Sequence, residues 1–187
     1  MEMAPSATEF ESAANSAPTT DRLRGAQLAS VLAALMMTLL LSALDQTIVN
    51  TALPRIIGDL NGFSQYIWVA TAYLLTSTTM IPIVGKLSDQ FGRKWFLVVG
   101  VVVFLTGSAL SGTSQTMNAL ILFRGLQGIG AGTILSLVFT VVGDIFVPAE
   151  RARWQGLFTG VFSLASVVGP TLGGWITDNA SWCWVFY

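Results

Sequence analysis

The sequence predicts an all-α membrane protein with five transmembrane helices and the start of a sixth. Three observations lead to this prediction. The chain is 53% hydrophobic and only 10% charged, whereas soluble domains carry about 25% charged residues. Its uncharged stretches reach the roughly 20 residues that a helix needs to cross a bilayer. These stretches lack the period-two alternation of barrel strands, so helices are the structure that satisfies their backbone in lipid.

Five uncharged stretches define the predicted spans, at residues 25–44, 60–85, 95–123, 125–143 and 154–177. The third is too long for a single crossing. Its segment SGTSQT, residues 111–116, predicts a polar turn, so the fourth helix begins near Met117 and continues through Arg124. The final segment SWCWVFY, residues 181–187, is typical of the beginning of a sixth span, within which we expect the chain to end.

The first residues differ in composition from the rest of the chain. Residues 1–21 are rich in Ala, Ser, Thr and Pro and have no apolar periodicity, which is typical of disorder. They contain no apolar segment of a cleavable signal peptide. We therefore predict a disordered cytoplasmic tail at residues 1–24 and a membrane domain at residues 25–187.

The distribution of Lys and Arg predicts the orientation. If the five spans alternate, one side of the membrane receives Arg22, Arg24, Lys86, Arg93, Lys94, Arg151 and Arg153. The other side receives Arg55, and Arg124 lies inside span four. The positive-inside rule then places the N-terminus and the loop at residues 85–95 in the cytoplasm. The expected location is the plasma membrane, with the vacuolar membrane as the alternative.

Several classes of function are excluded by composition. The chain has no histidine, no nucleophile motif and no cluster of metal-ligating residues, so we expect neither an enzyme nor a cofactor or metal. It has no basic patch with interleaved aromatic residues, so a nucleic-acid partner is not expected.

A cluster of charge interrupts the apolar sequence at GKLSDQFGRKW, residues 85–95. Gly85 and Gly92 are suited to a tight turn between two membrane helices. Asp89 is placed to cap a helix or to pair with Arg93. On charge alone, the segment is a loop that fixes the topology.

The spacing of this segment resembles the loop between helices two and three of the major facilitator superfamily, G-x-L-x-D-[RK]-x-G-R-[RK]. The matching residues are Gly85, Leu87, Asp89, Gly92, Arg93 and Lys94, whereas Gln90 departs from the pattern. The resemblance implies that the loop acts as a cytoplasmic latch that biases a transporter between its two access states.

Three further stretches resemble motifs of the drug–proton antiporters in that superfamily, above all the fourteen-spanner branch. They are LDQTIVNTALP at residues 44–54, LFRGLQGIGAG at 122–132 and ASVVGPTLGG at 165–174. The last is similar to the helix-five antiporter motif, with Ala165 in place of its first glycine. The resemblance implies a hinge at Gly169, Pro170, Gly173 and Gly174; a proline kink is the alternative.

The segment WCWVFY is similar to the entry into the sixth span of that branch, although Cys183 stands where Arg is usual. The resemblance covers about residues 25–187. It implies a partial major facilitator fold, which is the N-terminal half of the transporter domain truncated in helix six.

Two charged residues lie within the predicted spans, Asp45 and Arg124. Counting helical rise places Asp45 about 30 Å along span one, near its outer end, and Arg124 about 10 Å from the outer face. We therefore expect the two at similar depth, facing each other across the bundle. The alternatives are an interfacial Asp45 that marks a helix end and an Arg124 anchored to backbone carbonyls.

Polar or small residues follow one face of each helix. Span one carries Thr38, Ser42 and Asp45, and span four carries Arg124, Gln127, Gly128 and Ala131. These stripes predict either a cavity lining or helix–helix contact. The candidates for a proton or substrate pathway are Asp45, Arg124 and Gln127. Since burial and a nearby arginine have opposite effects on a carboxyl's proton affinity, moving Arg124 would switch Asp45 between proton-bound and proton-free forms.

Two functions follow from these observations. The first is proton-coupled efflux of small molecules such as drugs, toxins or metabolites, with substrate, protons and lipid as partners. The second is a truncated, transport-inactive membrane fragment or a regulatory partner of a full-length transporter. The substrate site of the superfamily lies between two helical halves, so transport by this chain would need a second chain to complete it.

Overall fold

The computed structural model describes residues 26–146 and 148–187. These residues form helices α1 (Ala26–Leu60), α2 (Tyr66–Phe91), α3 (Arg93–Gly112), α4 (Met117–Ile145) and α5 (Pro148–Asn179), followed by a 3₁₀ helix (Trp182–Phe186). Each α-helix is long and apolar enough to cross a membrane, so the chain is a multi-pass membrane protein. The predicted tail at residues 1–24 lies outside the described residues.

Residues 35–187 form one compact unit. It contains α2 to α5 and α1 from Leu35 onward. The described residues 26–34, which are the first stretch of α1, belong to the other unit.

The polar turn predicted at residues 111–116 is present. Helix α3 ends at Gly112 and α4 begins at Met117. The Thr116 hydroxyl accepts a hydrogen bond from the Ala119 amide at 3.3 Å, which caps the first turn of α4.

Helix α1 continues beyond the point where the sequence predicted its end. Residues 46–60 extend it past Asp45 to Leu60, so the prediction of Asp45 near the end of the span is wrong. The carboxylate does not end the helix because it is neutralised inside the bundle by Arg124 and has no need to reach water.

The charged segment 85–94 is helical rather than a loop, which corrects a second prediction. Helix α2 runs through Gly85 and Asp89 to Phe91, and α3 begins at Arg93. Gly92 alone joins them, with a φ of 90°, a conformation that glycine adopts without steric cost. Charged residues are tolerated in α2 because a helix can extend beyond the apolar layer into water.

Helix α4 lies against both α2 and α3. A side chain at Gly128 would place its Cβ 2.5 Å from the Tyr73 carbonyl oxygen of α2, and one at Gly130 would lie 2.7 Å from the Gly100 carbonyl oxygen of α3. Glycine therefore allows the helix backbones to approach closely on two faces of α4.

Helix α5 also packs closely against α1 at glycine residues. A Cβ at Gly169 would lie 2.6 Å from Thr47 Cβ, and one at Gly173 would lie 3.0 Å from the Ile48 carbonyl oxygen. The Thr47 hydroxyl also donates to the Ala165 carbonyl at 3.1 Å.

The segment predicted to begin a sixth span forms the 3₁₀ helix. Its Trp182, Val185 and Phe186 join a buried apolar cluster with α1, α2 and α4. The Ser108 hydroxyl of α3 donates to the Phe186 carbonyl at 2.7 Å, which fastens this segment to the bundle.

Candidate functional site

A buried ion pair joins α1 to α4. The Nη1 of Arg124 donates to the Oδ2 of Asp45 at 2.7 Å, and the two side chains are 2% and 6% exposed. Unpaired charge in a membrane interior costs about 3 kcal/mol or more. Each residue thus neutralises the other, which lowers the cost of burying both charges in the membrane.

Gln127 closes this pair into a ring. Its Nε2 donates to the Oδ1 of Asp45 at 2.8 Å, and its Oε1 accepts from Arg124 Nη1 at 2.8 Å. Arg124 and Gln127 are three residues apart on α4, so they share a helix face. We call Asp45, Arg124 and Gln127 the polar triad; in it both carboxylate oxygens of Asp45 receive a hydrogen bond.

The polar triad decides between the interpretations of the two intramembrane charges. Asp45 is buried in the middle of α1 rather than interfacial. Arg124 contacts the side chains of Asp45, Gln127 and Tyr73 rather than being anchored to backbone carbonyls. Gly128, which belongs to the polar stripe of α4, serves helix contact because it packs on α2.

Arg124 retains an unused buried donor. Its Nε is buried and has no hydrogen-bond partner, and it is the only such side-chain atom in residues 26–146 and 148–187. Most buried polar groups are hydrogen-bonded. The guanidinium can therefore take a further acceptor without giving up Asp45.

Tyr73 of α2 completes the surroundings of the polar triad, and the sequence analysis missed it. The centroid of its ring lies 4.3 Å from Arg124 Cζ, and its hydroxyl is 3.3 Å from the Ser42 hydroxyl of α1. The sequence held a signal for this contact. Tyr73 and Arg124 each lie seven residues after the start of their helix, about 10 Å along the helix axis. Because α2 and α4 run in the same direction in an alternating bundle, the two residues lie at the same depth.

The motif at residues 85–94 forms a second polar cluster, centred on Arg93. Arg93 Nη2 donates to Asp89 Oδ1 at 3.0 Å, and its Nη1 donates to the Thr140 carbonyl at 3.3 Å. It also forms an ion pair with Asp144 of α4. The structure therefore realises the pairing expected of Asp89 and Arg93 and adds Asp144, which the sequence analysis missed.

The other residues of this motif make fewer contacts with neighbouring helices. Lys94 is exposed, and Gly85 faces Ser136, whose Oγ would lie 3.6 Å from an added Cβ. Arg151 of α5 donates to the carbonyls of Gly143 and Phe146. Arginines from α3 and α5 thus donate to carbonyls near the C-terminal end of α4, where the helix dipole favours cations.

The helix-five motif lies in an unbroken helix. Pro170 is inside α5, Gly169 and Gly173 face α1, and an added Cβ at Gly174 would meet nothing within 4 Å. The motif thus builds a contact between α1 and α5. A hinge in this helix stays a prediction.

Among the described residues, no group of three or more His, Cys, Asp or Glu side chains is placed to hold a metal ion.

Comparison with known proteins agrees with this architecture. The family profile described as Major Facilitator Superfamily matches residues 35–187. The chain is 52% identical over 153 residues to the multidrug transporter protein MdtP of Bacillus subtilis, covering 82% of this chain and 28% of that protein. It is 49% identical over 157 residues to multidrug resistance protein 3 of the same species, covering 84% of this chain and 31% of that protein.

A solved structure shows the same fold. A bacterial homolog of the human lysosomal transporter Spinster, in an inward-facing and unoccupied conformation, superimposes with a TM-score of 0.63 at 18% identity, over 84% of this chain and 38% of that one. The chain spans less than a third of the two Bacillus relatives. By its sequence and by its fold, the chain belongs to the Major Facilitator Superfamily, of whose transmembrane fold it carries a part.

Proposed function

We propose that this chain forms part of a proton-coupled exporter of small molecules. The observation that carries the proposal is the buried pair of Asp45 and Arg124, closed by Gln127. Ionisable residues inside membrane spans mark ion pathways and proton relays by default. No other buried acid–base pair is found in the part of the chain that the structure describes.

The pair offers two states that differ by one proton. In the arrangement seen here, Asp45 receives hydrogen bonds from a guanidinium and from an amide. When Arg124 withdraws, a buried carboxylate is favoured in its protonated form. Movement of one helix against another thereby loads or releases a proton, and the unused Nε of Arg124 offers a contact for the withdrawn state.

The direction of transport and the substrate class are inferred from the relatives. The relative with 52% identity is named a multidrug transporter protein and the one with 49% identity a multidrug resistance protein. Drugs, toxins or metabolites of small size are accordingly the proposed cargo. Because the substrate site of this superfamily lies between two helical halves, helices α1 to α5 supply one side, and the remainder of a longer protein or a second chain supplies the other.

We assign the Arg93 cluster to control of access at the cytoplasmic side. Arg93 contacts residues of α2 and α4 from the start of α3, so it ties three helix ends together. The carboxylate of Asp89 is 57% exposed and keeps a free face for a further partner. The proposed hinge at Gly169 and Pro170 would allow α5 to bend during the change of access.

The test begins with the native product. An antibody against residues 1–21 isolates it from membranes, and it is reconstituted in vesicles with an imposed proton gradient and a fluorescent cationic dye. Proton-driven dye transport is expected, with at least tenfold loss in Asp45→Asn because the carboxylate can no longer carry a proton.

Asp59→Asn is the matched control, since Asp59 is an exposed aspartate near the end of the same helix. It should transport at the wild-type rate. Undiminished proton-driven transport in Asp45→Asn would contradict the coupling role. A product of 187 residues without transport would favour the inactive-fragment or regulatory alternative.

A further inference from the structure

Tyr73 connects the two helices that carry the ion pair. It projects from α2 and is 4% exposed. Its ring lies under the guanidinium of Arg124, with 4.3 Å from the centroid to Cζ. Its hydroxyl is hydrogen-bonded to Ser42, which lies three residues before Asp45 on α1 and so shares its face.

The stacking restrains Arg124 in a way that the ion pair alone does not. An arginine side chain is long and flexible, whereas its guanidinium is planar and stacks on aromatic faces. A cation within about 6 Å of a ring centroid is attracted to the ring, most strongly in the absence of water. The ring therefore acts as a flat support that keeps the guanidinium directed toward Asp45.

Tyr73 is itself held in place by contacts with both α4 and α1. Its backbone lies against α4, since a Cβ at Gly128 would come within 2.5 Å of the Tyr73 carbonyl oxygen and 3.0 Å of its Cα. Its hydroxyl is tethered to α1 through Ser42. The ring can shift only if α1, α2 and α4 move relative to one another, so its position reports the arrangement of these helices.

We propose that Tyr73 is a positioning residue whose aromatic ring holds Arg124 against Asp45, with the Ser42 contact as a lesser restraint on the ring. It acts through Arg124 and carries neither the proton nor the substrate. Its role in coupling rests on the function proposed above, whereas its effect on the ion pair can be measured without any transport.

The first experiment measures the state of Asp45 directly. Dicyclohexylcarbodiimide, an apolar reagent that modifies protonated carboxyls, is applied to membranes containing the full chain, and modified Asp45 is quantified by mass spectrometry. The Asp45 carboxyl of the wild type, whose two oxygens are occupied by Arg124 and Gln127, should react slowly. Tyr73→Leu should raise the labelling at least threefold, as should Arg124→Lys, which keeps the charge but loses the planar stacking group.

Three further variants distinguish the effect of losing the aromatic ring from the effect of loosening the packing of α2. Tyr73→Phe keeps the aromatic face and Ser42→Ala removes only the tether, so both should label within twofold of each other and well below Tyr73→Leu. Val69→Ala opens a void one turn away on α2, where Val69 is buried, and should label as the wild type. If Tyr73→Leu does not accumulate in membranes, Tyr73→Met replaces it.

Wild-type labelling in both Tyr73→Leu and Tyr73→Met would overturn the proposal, and so would labelling in Tyr73→Phe equal to that in Tyr73→Leu. A rise in Val69→Ala equal to that in Tyr73→Leu would overturn it as well, because loosened packing would then account for the effect.

The second experiment measures the pH dependence of transport. Tyr73→Leu should displace the pH profile in the same direction as Arg124→Lys, whereas Tyr73→Phe should retain the wild-type profile. Transport by the wild type that is independent of pH would refute proton coupling and leave the labelling result to decide the positioning role separately.

Discussion

At the scale of single residues, the chemistry of this molecule is concentrated in one contact, between Arg124 and Asp45 inside the bundle. Either charge alone would be a buried ion without compensation, which is far more costly than the absence of both. Their effects on stability should therefore be strongly non-additive.

Arg124→Leu is expected to lower the free energy of unfolding by about 3 kcal/mol, because it leaves the Asp45 carboxylate without its cation. The double variant Asp45→Asn, Arg124→Leu should recover most of this loss while remaining inactive in transport. The measurement is the fraction of detergent-solubilised chain that stays monodisperse after heating through a series of temperatures.

Arg55→Leu serves as the control at this scale. Arg55 is exposed near the end of α1, so its removal should leave the thermal profile unchanged. A double variant as unstable as the sum of its two single variants would show that Asp45 and Arg124 do not stabilise each other.

The sequence allowed the polar triad to be predicted because charges within apolar spans are rare and stand out. Tyr73 and Asp144 were harder to find. A tyrosine near the start of a span and an aspartate at the end of one both have an ordinary interfacial explanation, and only the packing of α2, α3 and α4 shows their partners.

The helices of this structure pack closely at glycine residues, and α4 is the clearest case. Of its most apolar 18 residues, 56% are buried, against 22% in α2 and 33% in α3. The close approach depends on positions such as Gly130, where an added Cβ would lie 2.7 Å from the Gly100 carbonyl oxygen and from Phe104 Cα. Backbone atoms cannot yield to a new methyl group as a flexible side chain can.

Gly130→Ala is expected to destabilise the chain by about 1–3 kcal/mol, the usual cost of overpacking. Gly143→Ala, on the same helix, meets nothing within 4 Å and should be neutral or slightly stabilising, since alanine favours helix more than glycine. The two variants are compared by thermal unfolding of the purified chain. Equal stabilities would show that α4 has room to move away from α3.

Helix boundaries were predictable only where polarity and turn chemistry coincided. The split between α3 and α4 followed from a run of Ser, Gly, Thr and Gln residues. The ends of α1 and α2 did not follow from the charges at Asp45 and in the segment 85–94, because one charge is paired inside the bundle and the others extend a helix beyond the apolar layer.

At the scale of the whole molecule, alternation of five helices assigns each connection to one side of the membrane. Cysteines placed at Ser64, between α1 and α2, and at Gln90, near the end of α2, should lie on opposite sides. Both positions are exposed. With Cys183→Ser as background, a membrane-impermeant maleimide applied to intact cells should label Ser64→Cys and spare Gln90→Cys, as the positive-inside rule requires.

Permeabilised cells provide the control, because both cysteines should then react equally. Labelling of Gln90→Cys alone in intact cells would reverse the orientation. Labelling of both at once would contradict the alternation of the helices.

The enclosure of α4 has a consequence for biosynthesis. Asp45 and Tyr73, which contact Arg124, belong to α1 and α2, and the glycine-fitted surfaces of α2 and α3 also precede α4 in the chain. Domains form from the N-terminus onward as the ribosome delivers them. When Arg124 leaves the ribosome, its counter-charge and its aromatic support have already been synthesised, so the order of the helices spares the arginine, although not Asp45, from waiting in lipid for its partner.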